Sequence, residues 1–414
     1  MKTFIFCIDA LFSRDLETLR RHPRFAPLFN HAVSVKNIEA IYPTLTYPTH
    51  ASIVTGEPPA IHKIIANQPI DPATENEDWF WYYNQIQAKT LFQGLHEKGL
   101  STCAIFWPVT AAGPIDYLVP EIWGVDDLTT VKTNSSHNID DILEAYREHL
   151  TFRDKLEQDT YGCECAEDII RRFNPDVAFV HFCLIDHIRH VDGISHPHVE
   201  QGLEVMGDLF GRMMDAVQDV QAEKPNIIIL GDHGHIEYTA NLLPNTEFEK
   251  LGWVSSSKPE EYRIYCHGCG ISAQIYMRDA SLAPQAEELF TQWKQEGYLL
   301  DYYTRVQAAQ MGLDGDFSYV LEAADGYSII SSFQGPFVCK LKLPEGVTSF
   351  GNHGHLPCRG NKPPFMVSSP LIMGYTEIEE GKMLDIAPTI CVMHGVTPWS
   401  VHGSPMKAIT RYYE

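Results

Sequence analysis

Three short apolar runs end in the same way: Phe4 to Ile8 at Asp9, Val177 to Ile185 at Asp186, and Ile227 to Leu230 at Gly231-Asp232-His233. Runs of this length and composition read as strands buried on both faces, each delivering polar groups at its carboxyl end. Between them the period changes to three and four, and Leu203, Met206, Phe210, Met213, Met214 and Val217 trace one face of a helix. Strands alternating with helices predict an α/β fold, a doubly wound and mainly parallel sheet flanked by helices. Ligands of such sheets bind beyond the carboxyl ends of the strands, which is where these acids and histidines gather.

From about Ile236 to Thr348 the pattern changes to turn-rich stretches, strand-like runs at Gly270 to Tyr276 and Tyr327 to Phe333, and a helix near Ala283 to Gln295. Because this stretch parts His233 from His353, residues 236–348 are expected to form an inserted cap on a core of 1–235 and 349–414. Met383 to Ile390 returns to a core-like helical pattern. A chain of 414 residues suits one large α/β domain with such an insertion.

The net charge of −23 repels polyanions and argues against a nucleic-acid polymer or an anionic membrane as partner. A small phosphorylated substrate remains compatible, since bound cations invert the local field. No apolar run reaches the eighteen residues or so that a membrane span needs. Lys2 to Phe12 is apolar, but Asp9 interrupts it and Arg14 and Asp15 follow, so it reads as a strand rather than a leader. Ten scattered cysteines suggest reduced thiols and a cytoplasmic setting. Cys266 and Cys269 form a C-x-x-C around His267, half of a zinc site or a redox pair in principle; with no second pair nearby, a structural role is expected.

Pro43-Thr44-Leu45-Thr46-Tyr47-Pro48-Thr49-His50 precedes a predicted helix from Ala51 to Thr55. Pro48 suits a first helical turn, which would set Thr46 just ahead of backbone N–H groups able to receive a phosphate. A threonine hydroxyl attacks only when a base or metal lowers its pKa; as a lone motif, Thr46 is more often a helix cap. Asp186 and His190 stand one helical turn apart after a buried strand, a spacing that a capping Asp and a surface His also produce. Asp232-His233 follows an Ile-Ile-Ile-Leu strand, and two adjacent polar groups there are costly to bury unless something binds them. His353 lies in a Gly-rich loop. Three Asp, three His and one Thr oxygen can make two sites of three or four protein ligands each, suited to Zn²⁺ or Mn²⁺ and leaving positions open for phosphate and water.

In order along the chain, Asp9, the P-T-x-T-x-P-x-H segment, Thr55-Gly56, Pro59, His62, Asn67, Asp186-x-x-x-His190-x-x-Gly193, Asp232-His233-Gly234 and His353-Gly354 resemble the alkaline phosphatase superfamily, and within it the nucleotide pyrophosphatase/phosphodiesterase type. The resemblance implies two divalent metal ions, one held by Asp9, Thr46, Asp232 and His233, the other by Asp186, His190 and His353. It implies hydrolysis of phosphodiester or pyrophosphate bonds through a phosphothreonine on Thr46, with a small phosphorylated substrate such as a nucleotide. Many family members carry Asn where this chain has Thr49, and Tyr where it has His355, so both positions are candidate substrate contacts. Trp81 and Tyr82, in the run Trp79 to Tyr83, could stack a planar group, with Phe106-Trp107-Pro108 as a second wall. Arg189 could supply the extra positive charge that a phosphomonoesterase needs. That activity is the nearest alternative, and a non-catalytic metal-stabilised binding protein is the alternative from another class.

Overall fold

The computed structural model describes residues 1–74, 78–122, 127–399 and 402–414. The apolar runs form an eight-stranded sheet in the order Tyr375–Lys382, Ala32–Glu39, Phe365–Ser368, Asn226–Leu230, Thr3–Ile8, Val177–Phe182, Thr102–Ile105 and Tyr117–Val119. Neighbours run parallel except at Phe365–Ser368, which is antiparallel to both strands beside it. Thr3–Ile8 lies between the other two strands read from the sequence, with Phe4 opposite both Ile227 and Ala178. Their carboxyl ends therefore finish side by side.

Strand alternation decides the layers. Phe4, Phe6 and Ile8 pack on the helices Lys155–Phe173 and Pro197–Val220, whereas Ile5 and Cys7 pack on Thr46–Thr55, Leu91–Glu97 and Ile386–Met393. Burying each large side chain contributes about 1.5–3 kcal/mol, and helices on both faces leave no polar side, which is why these runs are continuously apolar. The helix Pro197–Val220 turns Leu203, Met206, Phe210, Met213 and Val217 into this core, with Met214 half-buried at its margin. The fold is a doubly wound α/β sandwich.

The stretch after His235 builds a second, four-stranded antiparallel sheet from Leu299–Thr304, Tyr319–Ala323, Ser272–Met277 and Ile264–Cys269. Its own apolar cluster includes Ile264, Ile275, Phe290, Trp293 and Leu321. The strand-like run beginning at Gly270 is the second arm of a hairpin that turns at this residue (φ 78°). A Cβ there would stand 2.3 Å from the His353 carbonyl, so both conformation and space require glycine. The run beginning at Tyr327 is strand only over Gly326–Ile329. Ile236–Leu242 pairs antiparallel with Phe350–Asn352, Gly351 opposite Glu237. This pairing closes the stretch between the two strands into a loop and carries His353 back to the edge of the main sheet. No described helix is long and apolar enough to cross a membrane.

Candidate active site

Asp9 follows directly on Thr3–Ile8, and Asp232 and His233 follow on Asn226–Leu230 after Gly231. A Cβ on Gly231 would lie 2.3 Å from the Leu11 carbonyl, so glycine is what lets the two loops meet. Thr46 is the first residue of the helix Thr46–Thr55, which begins five residues before the predicted start at Ala51. Its Oγ1 lies 3.1 Å from His233 Nε2, which in turn lies 3.3 Å from Asp9 Oδ1 and 3.2 Å from Asp232 Oδ2. Each carboxylate is held by one oxygen. Ala10 N–H donates to Asp232 Oδ1 at 3.0 Å, and His181 Nε2 lies 3.2 Å from Asp9 Oδ2. The other oxygen of each, Asp9 Oδ1 and Asp232 Oδ2, is buried without a hydrogen-bond partner. A tetrahedral site with bonds of about 2.0 Å has ligand-to-ligand edges of about 3.3 Å. The donors present fit a divalent cation.

A second group adjoins the first. Asp186 and His190 occupy one face of the helix Leu184–Asp192, whose start is satisfied by Asp159, accepting from Cys183 N–H and Leu184 N–H at 3.0 Å each. His190 Nε2 lies 3.3 Å from Asp186 Oδ2 and His353 Nε2 4.0 Å from Asp186 Oδ1. His190 Nδ1 donates to the Gly351 carbonyl at 2.9 Å, which leaves Nε2 bare toward the carboxylate. His235 Nε2 lies 2.8 Å from Asp186 Oδ1, so this carboxylate too has one anchored oxygen. With no thiolate among them, these donors also fit a hard or borderline divalent ion.

The electrostatics agree. Burial, reinforced by Asp232, pushes Asp9 well above the usual carboxylate range, and burial raises Asp232 to about 6 against the pull of His181. Burial would raise Asp186 as well, but His190 and His235 hold it well below its ordinary value. Burial lowers His233 and His235 to about 3 and His353 well below its usual value, so these imidazoles are neutral with lone pairs available. Two unpaired carboxylate oxygens beside neutral imidazoles are the environment that a cation relieves.

Asp9, Thr46, Asp186, His190, Asp232, His233 and His353 thus converge at one edge of the sheet. The outer candidates do not. Arg189 is fully buried: it pairs with Asp15 at 2.8 Å, donates to the Ala10 carbonyl and lies 3.5 Å over the Phe12 ring, so it cannot grip a phosphate. Thr49 is completely buried within its helix. His355 Nδ1 donates to the Leu356 carbonyl at 2.8 Å while Nε2 lies 3.3 Å from the Gly234 carbonyl, so the ring is enclosed by backbone rather than turned toward a substrate. Trp81 and Tyr82 form a bridge with Ala111 and its neighbours, Trp81 packing near Tyr47 and Val109. It is Trp79 of the same run that lines the cavity beside the site. Phe106 and Trp107 are buried and make no open wall. The first helical turn offers fewer donors than expected, because Tyr47 N–H already donates to Asn67 Oδ1 at 3.0 Å and Pro48 has none. Cys266 and Cys269, three apart on a strand, fall on opposite faces and into different apolar clusters, and all ten thiols are free.

Two residues were passed over. His235 stands two residues beyond His233, where a third polar group leaving the same strand was visible. His181 sits inside the wholly buried strand Val177–Phe182, and an imidazole in such a run requires a partner.

A sequence model of the type I phosphodiesterase / nucleotide pyrophosphatase family matches residues 3–355. The mouse ectonucleotide pyrophosphatase/phosphodiesterase family member 1 is 26% identical over 243 residues, 56% of this chain and 24% of that protein. The human bis(5'-adenosyl)-triphosphatase ENPP4 is 20% identical over 92% of this chain and 76% of its own. The chain thus spans about a quarter of the first relative and about three quarters of the second. Among solved structures, murine ectonucleotide pyrophosphatase/phosphodiesterase 5 superposes with a TM-score of 0.70 at 16% identity over 98% of both chains. An inactive variant of it, in complex with AMP, superposes equally well over 98% of this chain and 97% of its own. These superpositions show that the fold is shared. With the family model running from the first strand through His353, the chain belongs to the type I phosphodiesterase / nucleotide pyrophosphatase family, of the alkaline phosphatase superfamily.

Proposed function

We propose that this chain is a two-metal hydrolase of phosphodiester or pyrophosphate bonds that attacks with Thr46 through a covalent phosphothreonine. The observation that carries the reading is the position of Thr46 Oγ1, 3.1 Å from His233 Nε2 and beside two bare carboxylate oxygens at a helix start. Asp9, Thr46, Asp232 and His233 would hold one ion and Asp186, His190 and His353 the other, with Zn²⁺ favoured and Mn²⁺ acceptable to the same donors. Bound there, the ions lower the hydroxyl pKa, hold phosphate oxygens and offset charge on the leaving oxygen. Thr46 Oγ1, having released its proton to solvent, forms a bond to phosphorus as the opposite ester or anhydride bond breaks, the electron pair leaving with that oxygen. Water then displaces Thr46 in the reverse in-line sense, and a proton from that water restores the Thr46 hydroxyl. Asn67, whose Oδ1 is occupied by Tyr47 N–H, has its amide nitrogen left to donate to a phosphate oxygen. The AMP complex of the murine relative supports a small nucleotide as substrate.

The burial of Arg189 in its pair with Asp15 weakens the monoesterase alternative, which needs a further cation for the second phosphate charge. Turnover separates an enzyme from a metal-stabilised binding protein. In the metal-loaded protein with bis(p-nitrophenyl) phosphate, Thr46→Ala is expected to lower kcat at least about 10³-fold with unchanged metal content, while Thr46→Ser stays active. Acid quenching should trap phosphothreonine in the wild type alone. Full activity of the Ala variant would show that water attacks directly.

A further inference from the structure

Ala10 follows Asp9 directly and takes a left-handed φ of 54°, a conformation that disfavours any residue with a Cβ. Such a residue persists only where its surroundings fix it from several sides. Here they can be named. Leu11 N–H donates to the Ile8 carbonyl at 3.0 Å and closes a turn with Asp9 and Ala10 at its centre. Ala10 N–H donates to Asp232 Oδ1 at 3.0 Å, and the Ala10 carbonyl accepts from Arg189 Nη1. Its methyl group is buried with Phe12 and Ile194.

Arg189 reaches this turn from the helix Leu184–Asp192, where it stands between Asp186 and His190 in the chain. Its guanidinium is fixed by further contacts: Nη2 donates to Asp15 Oδ2 at 2.8 Å, Nε donates to the Ile194 carbonyl at 3.3 Å, and Cζ lies 3.5 Å over the Phe12 ring. Asp15 Oδ2 also accepts from Phe12 N–H at 2.7 Å. Neutralising Asp15 does not by itself explain an arginine here, because desolvating two buried charges offsets most of their attraction and apolar groups could replace both. The contact that the ion pair leaves unexplained is the one to Ala10. If Ala10 relaxed to a negative φ, the peptide between Asp9 and Ala10 would turn and carry its N–H off Asp232, releasing a carboxylate of the first ligand group.

We infer that Arg189 is a positioning residue for the ligand group of Asp9, Thr46, Asp232 and His233: by holding the Ala10 carbonyl it keeps the turn in the left-handed form whose N–H anchors Asp232. Arginine suits this task because its fork reaches Ala10 and Asp15 at once, which the single ammonium of a lysine does not. The inference rests on the two-metal reading and adds to it a residue from the helix that bears the other ligand group.

The test removes the buried charges together, Arg189→Met with Asp15→Asn, so that neither is left alone. By chelator competition, one of the two Zn²⁺ ions is expected to bind about tenfold more weakly than in the wild type. The crystal structure of the variant should show Ala10 at a negative φ with its N–H off Asp232. Adding Ala10→Gly, which frees the left-handed form of its steric cost, should restore most of the affinity. A role confined to packing would lower the Tm without that recovery. If the paired variant fails to fold by circular dichroism, Arg189→Lys takes its place, with the same loss and the same recovery by glycine expected. Unchanged binding of both ions, a left-handed Ala10 in the variant crystal, or a loss that Ala10→Gly leaves in place would overturn the inference. A wild type that binds fewer than two ions would count instead against the two-metal reading, and the φ of Ala10 in the variant would still decide the role of Arg189.

Discussion

Asp9, Thr46, Asp232 and His233 lie at or below 7% exposure, and each comes from the end of a core strand or the start of a core helix. The neighbouring group is more open, the Asp186 and His190 side chains being 17% and 28% exposed. It also depends on a longer path through the chain. His353 follows directly on Phe350–Asn352, which pairs with Ile236–Leu242 more than 100 residues before it in the chain. The deep group is therefore carried wholly by the main sheet and its helices, whereas the outer group adds to Asp186 and His190, on the helix after Val177–Phe182, one residue held by a short pairing. Two halves of one site can thus differ in how easily each is lost.

The most disruptive way to break this comparison is at Gly351. A Cβ there would lie 2.6 Å from His235 Nδ1 and 2.9 Å from the Arg189 carbonyl, and the Gly351 carbonyl orients His190. Gly351→Val is expected to weaken metal binding at the outer group by more than about 100-fold while the deep group keeps its ion. Chelator competition is expected to resolve two tight ions in the wild type and one in the variant. Equal weakening of both would show that the two halves are not independent.

A smaller effect is expected at His235, whose Nε2 anchors Asp186 Oδ1 at 2.8 Å. His235→Leu should lower outer-group metal affinity about 10–100-fold, and His235→Gln, which keeps a donor, should recover part of it. An unchanged affinity in His235→Leu would mean that the carboxylate is held by its helix alone.

The smallest effect sharpens the other side of the comparison. Behind the deep group, Glu121 is buried with Tyr47, Gln158 and Cys183 around it. Burial raises its pKa to about 7, against the pull of Lys155. A carboxyl whose folded pKa is raised costs nothing below the unfolded pKa; it destabilises progressively as pH climbs from there through the folded value, and most above it. Glu121→Gln should therefore raise the Tm more at pH 8 than at pH 5, by the equivalent of roughly 1–3 kcal/mol. An equal gain at both pH values would place the charge in a less buried setting.

Sequence pattern by itself determined the layered α/β core, since short continuous apolar runs alternating with helical periods make a sheet covered on both sides, although the run Val177 to Ile185 is strand only to Phe182 and gives Asp186 from the first turn of the helix Leu184–Asp192. It also determined the order of the ligand-type residues, because Asp9, Asp186, Asp232 and His233 are local to those strand ends. Tertiary structure decided everything that depends on contact across distance. It showed that Arg189 neutralises Asp15 rather than facing a substrate, that Trp79 and not Trp81 meets the cavity, and that the His355 ring is enclosed by backbone. It brought in His181 and His235, whose partners Asp9 and Asp186 lie 172 and 49 residues away. The physical reason is that periodicity reports which side of its own element a residue faces, while the partner that satisfies a buried polar group is chosen by the packing of elements distant in sequence.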